Sequence, residues 1–229
     1  MFKTTFIILG ALFLTGCAGL SKNTISYDPP NKKTVQNTVT IDRDFEDTWD
    51  KLVEKLATQY FVINNVSKES RIINVSFSTD DPTDYIDCGK TTRTFIPGAG
   101  AGNPETTTYE TASTGTQFKV ALPNLQAPGF TIPHLATRKS SLSGRTNIYV
   151  APVGIRSKIT VNTRYIYKNS ANLVSLINGF SVNTPDRTIS FNTGKTGTGS
   201  WTENGISGTI ECVSNGVIER DIINSANSI

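Results

Sequence analysis

The chain has 229 residues, of which 37% are hydrophobic and 18% are charged. This composition fits one globular domain and is unlike that of a disordered or fibrous protein. The formal net charge is only +3, and Lys and Arg are scattered among acidic residues, so we expect no nucleic-acid binding.

The first 16 residues have the pattern of a secretory signal peptide. Lys3 supplies a positive charge, and an apolar run extends from Phe6 to Leu14. This run is about half as long as the roughly 20 residues that a transmembrane helix needs. No later segment has an apolar run of comparable length. We therefore predict a signal peptide over residues 1–16 and a chain that is otherwise soluble after it has crossed a membrane.

The signal peptide ends at Leu14-Thr15-Gly16-Cys17, which resembles the bacterial lipobox. In proteins with this motif a diacylglyceryl donor alkylates the cysteine thiol, a strong nucleophile, and the cysteine becomes the first residue of the mature chain. Two acyl chains already anchor a protein stably, at about 0.8 kcal/mol per buried methylene group. The resemblance implies lipidation of Cys17 and, because Ala18 replaces the Asp that retains enterobacterial lipoproteins in the inner membrane, location at the outer membrane. The alternative is an ordinary signal peptide with a chance cysteine.

Residues 17–36 are predicted to form the lipidated start of the chain and a flexible tether. They are polar, contain Asp28-Pro29-Pro30 and have no hydrophobic period. Residues 37–229 are then predicted to be one periplasmic domain.

The domain begins with a predicted strand over residues 35–41. The clearest helix begins after Asp42-Arg43-Asp44, and its apolar residues recur at helical spacing as far as Tyr60. A hairpin over residues 60–77 and a short strand over residues 91–96 follow.

A long irregular insertion is predicted over about residues 97–146. Residues 97–116 are rich in Gly, Thr and Pro and have almost nothing to bury. A brief strand at residues 117–121 is predicted inside this insertion.

The strongest strand pattern covers residues 155–168. Ile155, Ile159, Val161, Tyr165 and Tyr167 share one parity. The other parity carries Arg156, Lys158, Thr160, Asn162, Arg164 and Lys168. This alternation indicates a strand with one face in water.

After a connector over residues 169–183, further strands are predicted at residues 187–192 and 208–213, with a Gly-rich turn at residues 194–199. Ser214 is expected to cap a closing helix with an apolar face. The order of elements predicts an α+β fold, with an antiparallel sheet and helices packed on one of its faces.

Cys88 and Cys212 remain when Cys17 is assigned to lipid. We predict a disulfide between them, because an exported protein meets an oxidising environment. The alternatives are two buried thiols or a metal pair, although two Cys and one distant His are too few ligands for zinc.

Few residues point to chemistry. His134, the one histidine, lies in a Pro-flanked segment without a nearby carboxylate or thiol, so we interpret it as structural or solvated. The group Asp80, Asp81, Asp84 and Asp87 lacks EF-hand spacing and indicates a turn. Trp201 lies in a predicted loop and is the candidate partner contact, although a ring folded over the sheet edge is the alternative. We predict no catalytic residues, no cofactor and no metal.

Three segments carry a wider resemblance: IDRDFEDTWDKLVEKLATQYFVINNVSKESRIINVSFS (residues 41–78), RSKITVNTRYIYK (156–168) and CVSNGVIERDIINSAN (212–227). With the lipobox and the polar tether, they resemble the helix-then-hairpin modules of small proteobacterial envelope lipoproteins, including the BamC accessory lipoprotein family. The resemblance implies an α+β fold and a non-catalytic role, and it carries over no functional residue except Cys17. We therefore expect a lipid-anchored interaction component of an envelope protein complex. The alternative is a periplasmic small-ligand carrier or hydrolase with a cavity on the sheet.

Overall fold

A computed structural model describes residues 20–203 and 205–228. These residues form fourteen strands, two α-helices and a single turn of 3-10 helix at Pro82–Asp84. The strands are β1 (Lys22–Asp28), β2 (Thr38–Ile41), β3 (Val62–Ser67), β4 (Ile72–Thr79), β5 (Ile86–Asp87), β6 (Lys90–Ile96), β7 (Glu105–Glu110), β8 (Gln117–Pro123), β9 (Thr131–Val153), β10 (Arg156–Ser175), β11 (Ser181–Asn183), β12 (Arg187–Asn192), β13 (Gly197–Glu203) and β14 (Ile206–Ser214). The helices are α1 (Phe45–Ala57) and α2 (Val217–Asn227).

The predicted α+β fold class is wrong. Among the described residues, strands account for 55% and helices for only 13%, so this part of the chain is mostly β, with large antiparallel sheets. The difference arises chiefly in residues 97–146, which were expected to be irregular apart from a brief strand at residues 117–121. That strand is present as β8, but the segment also contains β7 and most of β9.

A long hairpin of β9 and β10 is the spine of the main sheet. The two strands pair continuously from Arg156 opposite Val153 to Ser175 opposite His134. The other edge of β9 pairs with β4 near the hairpin turn and with β8 farther along. The other edge of β10 pairs in the same piecewise way with β2, β12 and β11. Short strands therefore satisfy the backbone hydrogen bonds along both edges of one long ribbon.

Two smaller sheets complete the fold. One has the strand order β1-β6-β7, and the other has the order β13-β14-β5. The predicted tether is therefore not flexible throughout. Residues 22–28, which lie within it, form β1 and pair with β6 along the whole length of β1.

Two hydrophobic clusters fill the interior. The larger joins α1, α2 and the strands near the hairpin turn, with Leu52, Ile148, Ile159 and Ile222 all fully buried. The smaller consists of Tyr109, Phe118, Val120 and Ala136 and lies at the far half of the ribbon. The ribbon is thus covered by different elements at its two ends.

The parity prediction for β10 is confirmed at four of its five positions. Ile159, Val161, Tyr165 and Tyr167 are fully buried, whereas Ile155 is 88% exposed because it lies in the turn between β9 and β10. The predicted connector at residues 169–183 is wrong, since β10 continues to Ser175 and β11 follows.

The predicted helices form, with one difference at a cap. Asp44 caps α1 by accepting a hydrogen bond from the Asp47 amide at 3.0 Å. Ser214 does not occupy the cap of α2, because that position belongs to Gly216. The Ser214 hydroxyl instead accepts from the Gly216 amide at 2.9 Å.

The predicted turn after β12 is present, but it is shorter than expected. Gly197 already belongs to β13, where an added Cβ would lie 2.6 Å from the Phe191 ring. Glycine there permits β13 to pass close over β12. None of the helices within the described part of the chain is long and apolar enough to cross a membrane.

Candidate functional site

Cys17, the predicted lipidation site, lies outside the described residues, as does the predicted signal peptide. The described chain begins at Leu20. Lipid attachment therefore stays a prediction from the sequence.

The predicted disulfide is confirmed. Cys88 and Cys212 are bonded across 124 positions of sequence, and both residues are almost completely buried. The bridge fastens the segment after β5 to β14, and it excludes the alternatives of free thiols and a metal pair.

Trp201 lies in strand β13, so the predicted loop is wrong. It pairs with Gly208 of β14, and an added Cβ at Gly208 would lie 2.8 Å from atoms of the indole ring. The ring thus packs over its own hairpin and is half-buried. A role of Trp201 in partner contact stays a prediction.

His134 lies in β9 and is only 9% exposed. Its Nδ1 atom is 3.0 Å from the Ile132 carbonyl oxygen. This contact with neighbouring backbone is that of a structural histidine. No group of three metal-ligating side chains that could hold an ion occurs in residues 20–203 and 205–228.

The Asp-rich segment forms turns. The Asp81 carboxylate accepts from the Thr83 hydroxyl at 2.7 Å, and the Asp87 carboxylate accepts from the Gly89 amide at 2.7 Å. These are the local hydrogen bonds expected of Asp in turns.

Sequence reasoning missed a small cavity beside the second hydrophobic cluster. It has a volume of about 120 Å³ and lies between the β8-β9-β10 part of the main sheet and β6. Its apolar wall includes Phe118, Val120 and Leu173, and its polar wall includes buried arginines. We call it the arginine cavity.

Arg93 of β6 lines this cavity, and its positive charge is balanced by the carboxylate of Glu203. Its two terminal nitrogens donate to the two carboxylate oxygens of Glu203, each at 2.8 Å. Its guanidinium also lies 4.6 Å from the centre of the Phe118 ring. Burial alone would lower the pKa of Arg93, but the hydrogen bonds and charges of Glu203 and Tyr109 together outweigh burial and hold this pKa above its usual value.

Arg138 of β9 is the cation without a counter-ion. It is 9% exposed, and none of the ion pairs among the described residues includes it. Its Nη2 donates to the Thr111 carbonyl at 2.6 Å, and its guanidinium lies 4.9 Å from the centre of the Tyr109 ring. These contacts hold the side chain in place, but they leave a buried positive charge that no carboxylate balances.

Asn169 of β10 is a second polar group of the cavity, and its hydrogen-bonding capacity is unused. It is 7% exposed and lines the arginine cavity, and its side-chain amide makes no hydrogen bond with another described residue. Its amide faces the open space of the cavity, since the buried side-chain atoms without a partner among the described residues are Thr48 Oγ1 and Gln59 Oε1. Three arginines and one glutamate line the cavity, Arg187 being exposed at its edge, so the cavity is positively charged and offers unused donors.

Arg138 carries no local sequence signal, because its inward direction follows only from the pairing of β9 with β8 and β10. Arg138 shares its parity with buried Ala136 and Leu142. A charged residue at an inward position is rare unless it has a role.

A separate buried network joins α2 to the main sheet. The hydroxyl of Tyr165 donates to the Glu219 carboxylate, with both oxygens at 2.9 Å, and Thr193 donates to the same carboxylate at 2.6 Å. Burial, followed by the negative charge of Glu219, raises the pKa of Tyr165 well above its usual value. The network lies in the protein interior and not in the arginine cavity, which indicates a structural role.

The raised pKa of Tyr165 predicts a loss of stability in alkali. The unfolded chain releases this proton near pH 10 and the folded chain retains it, so the stabilisation is complete below pH 10 and falls as pH rises above it. We expect urea unfolding of Tyr165→Phe to show a free energy lower by about 1–3 kcal/mol at pH 7. Above pH 10 the free energy of unfolding of Tyr165→Phe should fall less steeply with pH than that of the wild type, by up to about 1.4 kcal/mol per pH unit.

Tyr149→Phe is the matched control for this titration. Tyr149 is 43% exposed, so its variant should follow the wild-type pH profile. Equal slopes above pH 10 for Tyr165→Phe and the wild type would contradict the prediction.

No family model, curated protein or solved structure matches the chain. The site is therefore interpreted from its own geometry.

Proposed function

We propose that this protein is an outer-membrane-anchored periplasmic lipoprotein that serves as a non-catalytic interaction component of an envelope assembly. The observation that carries the proposal is the lipobox-like Leu14-Thr15-Gly16-Cys17 at the end of a signal-peptide pattern. The disulfide between Cys88 and Cys212 supports it, since disulfides persist in oxidising compartments such as the periplasm.

The non-catalytic part of the proposal comes from the resemblance of residues 41–78, 156–168 and 212–227 to modules of envelope lipoproteins. The proposed kinship with BamC-like lipoproteins rests on the sequence resemblance. The Cys17→Ala variant tests the anchor, because it removes the acceptor thiol without altering the domain.

The arginine cavity favours a second candidate function, the binding of a small anion. Arg138 supplies positive charge without a counter-ion, Asn169 supplies free amide donors, and Phe118 supplies an apolar wall. A volume of about 120 Å³ fits a carboxylate with a short carbon chain. It is below the roughly 300–1,000 Å³ of pockets for larger ligands.

Titration with acetate and butyrate tests this second function. We expect a saturable NMR shift of the Arg138 Nε–H signal in the wild type and at least a tenfold weaker response of the same signal in Asn169→Asp. The reason is that the new carboxylate would balance the positive charge of Arg138 in place of the added anion. A tenfold loss of affinity corresponds to about 1.4 kcal/mol.

Asn192→Asp is the matched control, because Asn192 is exposed on β12. It should retain the wild-type response. Equal responses in Asn169→Asp and Asn192→Asp, or no saturation in the wild type, would exclude an anion site in the arginine cavity.

A further inference from the structure

An exposed apolar surface lies at one end of the main sheet. It consists of the β8–β9 turn, with Leu125 93% and Phe130 63% exposed, and the β10–β11 turn, with Ile177 70% and Phe180 67% exposed. We call these two turns the apolar tip. Large exposed apolar patches on soluble proteins mark interaction sites.

The two turns are neighbours at the same end of the sheet. The Asn124 amide donates to the Phe130 carbonyl at 2.8 Å and closes the first turn. The Ser175 amide donates to the Phe180 carbonyl at 2.8 Å and closes the second. A hydrogen bond of 2.9 Å from the Leu176 amide to the Pro133 carbonyl then joins the second turn to the start of β9. The exposed side chains therefore form one surface.

Charged residues are missing from the two turns and the strand ends that lead to them, and the nearest exposed charge is Lys22, which pairs with Ile96. Residues 120–137 and residues 169–185 contain no Asp, Glu, Lys or Arg. The neighbouring segment 94–104 contains none either. Charged side chains are costly in the bilayer interior, so a surface without them is suited to contact with lipid.

The described chain begins beside the same surface. The Ser21 carbonyl accepts from the Thr131 hydroxyl at 3.3 Å, and its own hydroxyl accepts from the Gly98 amide at 3.1 Å. Thr131 follows Phe130 directly, so the first described residues are held next to the apolar tip. Leu20, the first of them, is itself 41% exposed.

Cys17 is only three residues before Leu20. Three residues span at most about 11 Å. Acyl chains on Cys17 must therefore enter a bilayer close to the end of the sheet that carries the apolar tip.

We infer that the apolar tip inserts its exposed side chains into the interface of the phospholipid bilayer that holds the anchor. This inference rests on the proposed lipid anchor and adds a second contact, which sets the orientation of the domain. Apolar side chains of interfacial segments enter the headgroup boundary by about 5–10 Å. The ribbon of β9 and β10 then points away from the membrane, with the Gly154 turn as its distal end.

Fluorescence quenching by spin-labelled lipids tests the inference. Full-length lipidated protein carrying Phe130→Trp or Phe180→Trp is reconstituted in phosphatidylethanolamine and phosphatidylglycerol vesicles that contain headgroup-proximal nitroxide lipids. Tyr149→Trp, near the distal end of β9, is the control, because Tyr149 is 43% exposed. Trp49 and Trp201 are common to all variants, and the wild-type signal is subtracted.

We expect the introduced indole to be quenched at least threefold more strongly in Phe130→Trp and Phe180→Trp than in Tyr149→Trp. Equal, weak quenching in all three lipidated variants would overturn the inference and leave the lipid anchor intact. Shielding of the tip indoles from both nitroxide lipids and aqueous iodide would also overturn it, since protein would then cover the tip. Mass spectrometry of the N-terminal peptide of the reconstituted wild type reports on the anchor separately. Absence of an acyl group there would contradict the proposed anchor.

Discussion

Cys17→Ala is expected to abolish acylation completely, because no other residue supplies the thiol that the lipobox reaction uses. The chain should then either leave the membrane fraction or remain as an unprocessed precursor. Mass spectrometry of the N-terminal peptide and fractionation of membranes measure the two effects. The loss is all-or-none, since stable anchoring requires the acyl chains themselves.

Two further variants serve as controls for the anchor. Cys88→Ala with Cys212→Ala removes both other cysteines and should leave acylation unchanged. Ala18→Asp should retain the lipidated protein at the inner membrane, as the sorting rule implies. The lipoprotein assignment is wrong if Cys17→Ala fractionates with membranes as the wild type does and the N-terminal peptides of both proteins carry no acyl group.

Crosslinking of the anchored wild type in cells tests the interaction role. Recovery of an envelope protein, reduced in Cys17→Ala, is the expected result. Recovery of no envelope component would count against an assembly role without bearing on the anchor.

Loss of the disulfide is expected to have the largest effect on stability. The bridge closes a loop across 124 positions of sequence. The chain-entropy relation for a loop of this length gives about 5 kcal/mol. Urea unfolding of Cys88→Ala with Cys212→Ala at pH 7 should therefore show a free energy of unfolding lower by about that amount, which is a large part of the usual 5–15 kcal/mol for a domain.

Wild-type protein in reducing buffer is the matched comparison for this variant. It should approach the stability of the double variant, since both lack the cross-link. Unfolding midpoints that coincide for the oxidised wild type and the double variant would contradict the prediction.

Local patterns predicted the local elements correctly. The periodicity around Trp49 and Leu52 predicted α1, and the segment Asp42-Arg43-Asp44 before it predicted where it begins. The alternation of Val161, Tyr165 and Tyr167 predicted the buried face of β10. These signals are readable because each depends on residues within one or two turns of helix or a few strand positions.

Strand β9 could not be predicted in the same way. Its inward positions include small and polar residues such as Ala136, Ser140 and Thr146, which lack apolar alternation. It becomes a strand because β10 pairs with one edge while β4 and β8 pair with the other. That stabilisation comes from backbone hydrogen bonds to distant segments, which a local pattern does not contain.

The sequence by itself determined α1, the β3–β4 hairpin, the buried parity of β10 and the pairing of Cys88 with Cys212. Only the tertiary structure decided that the fold is mostly β, that β1 shortens the tether, and that Arg138 and Asn169 meet in one cavity. It also decided that Phe130 and Phe180 lie on one surface beside Ser21. The physical reason is that these features arise from contacts between segments far apart in the chain, and no residue carries such a contact in its own neighbourhood.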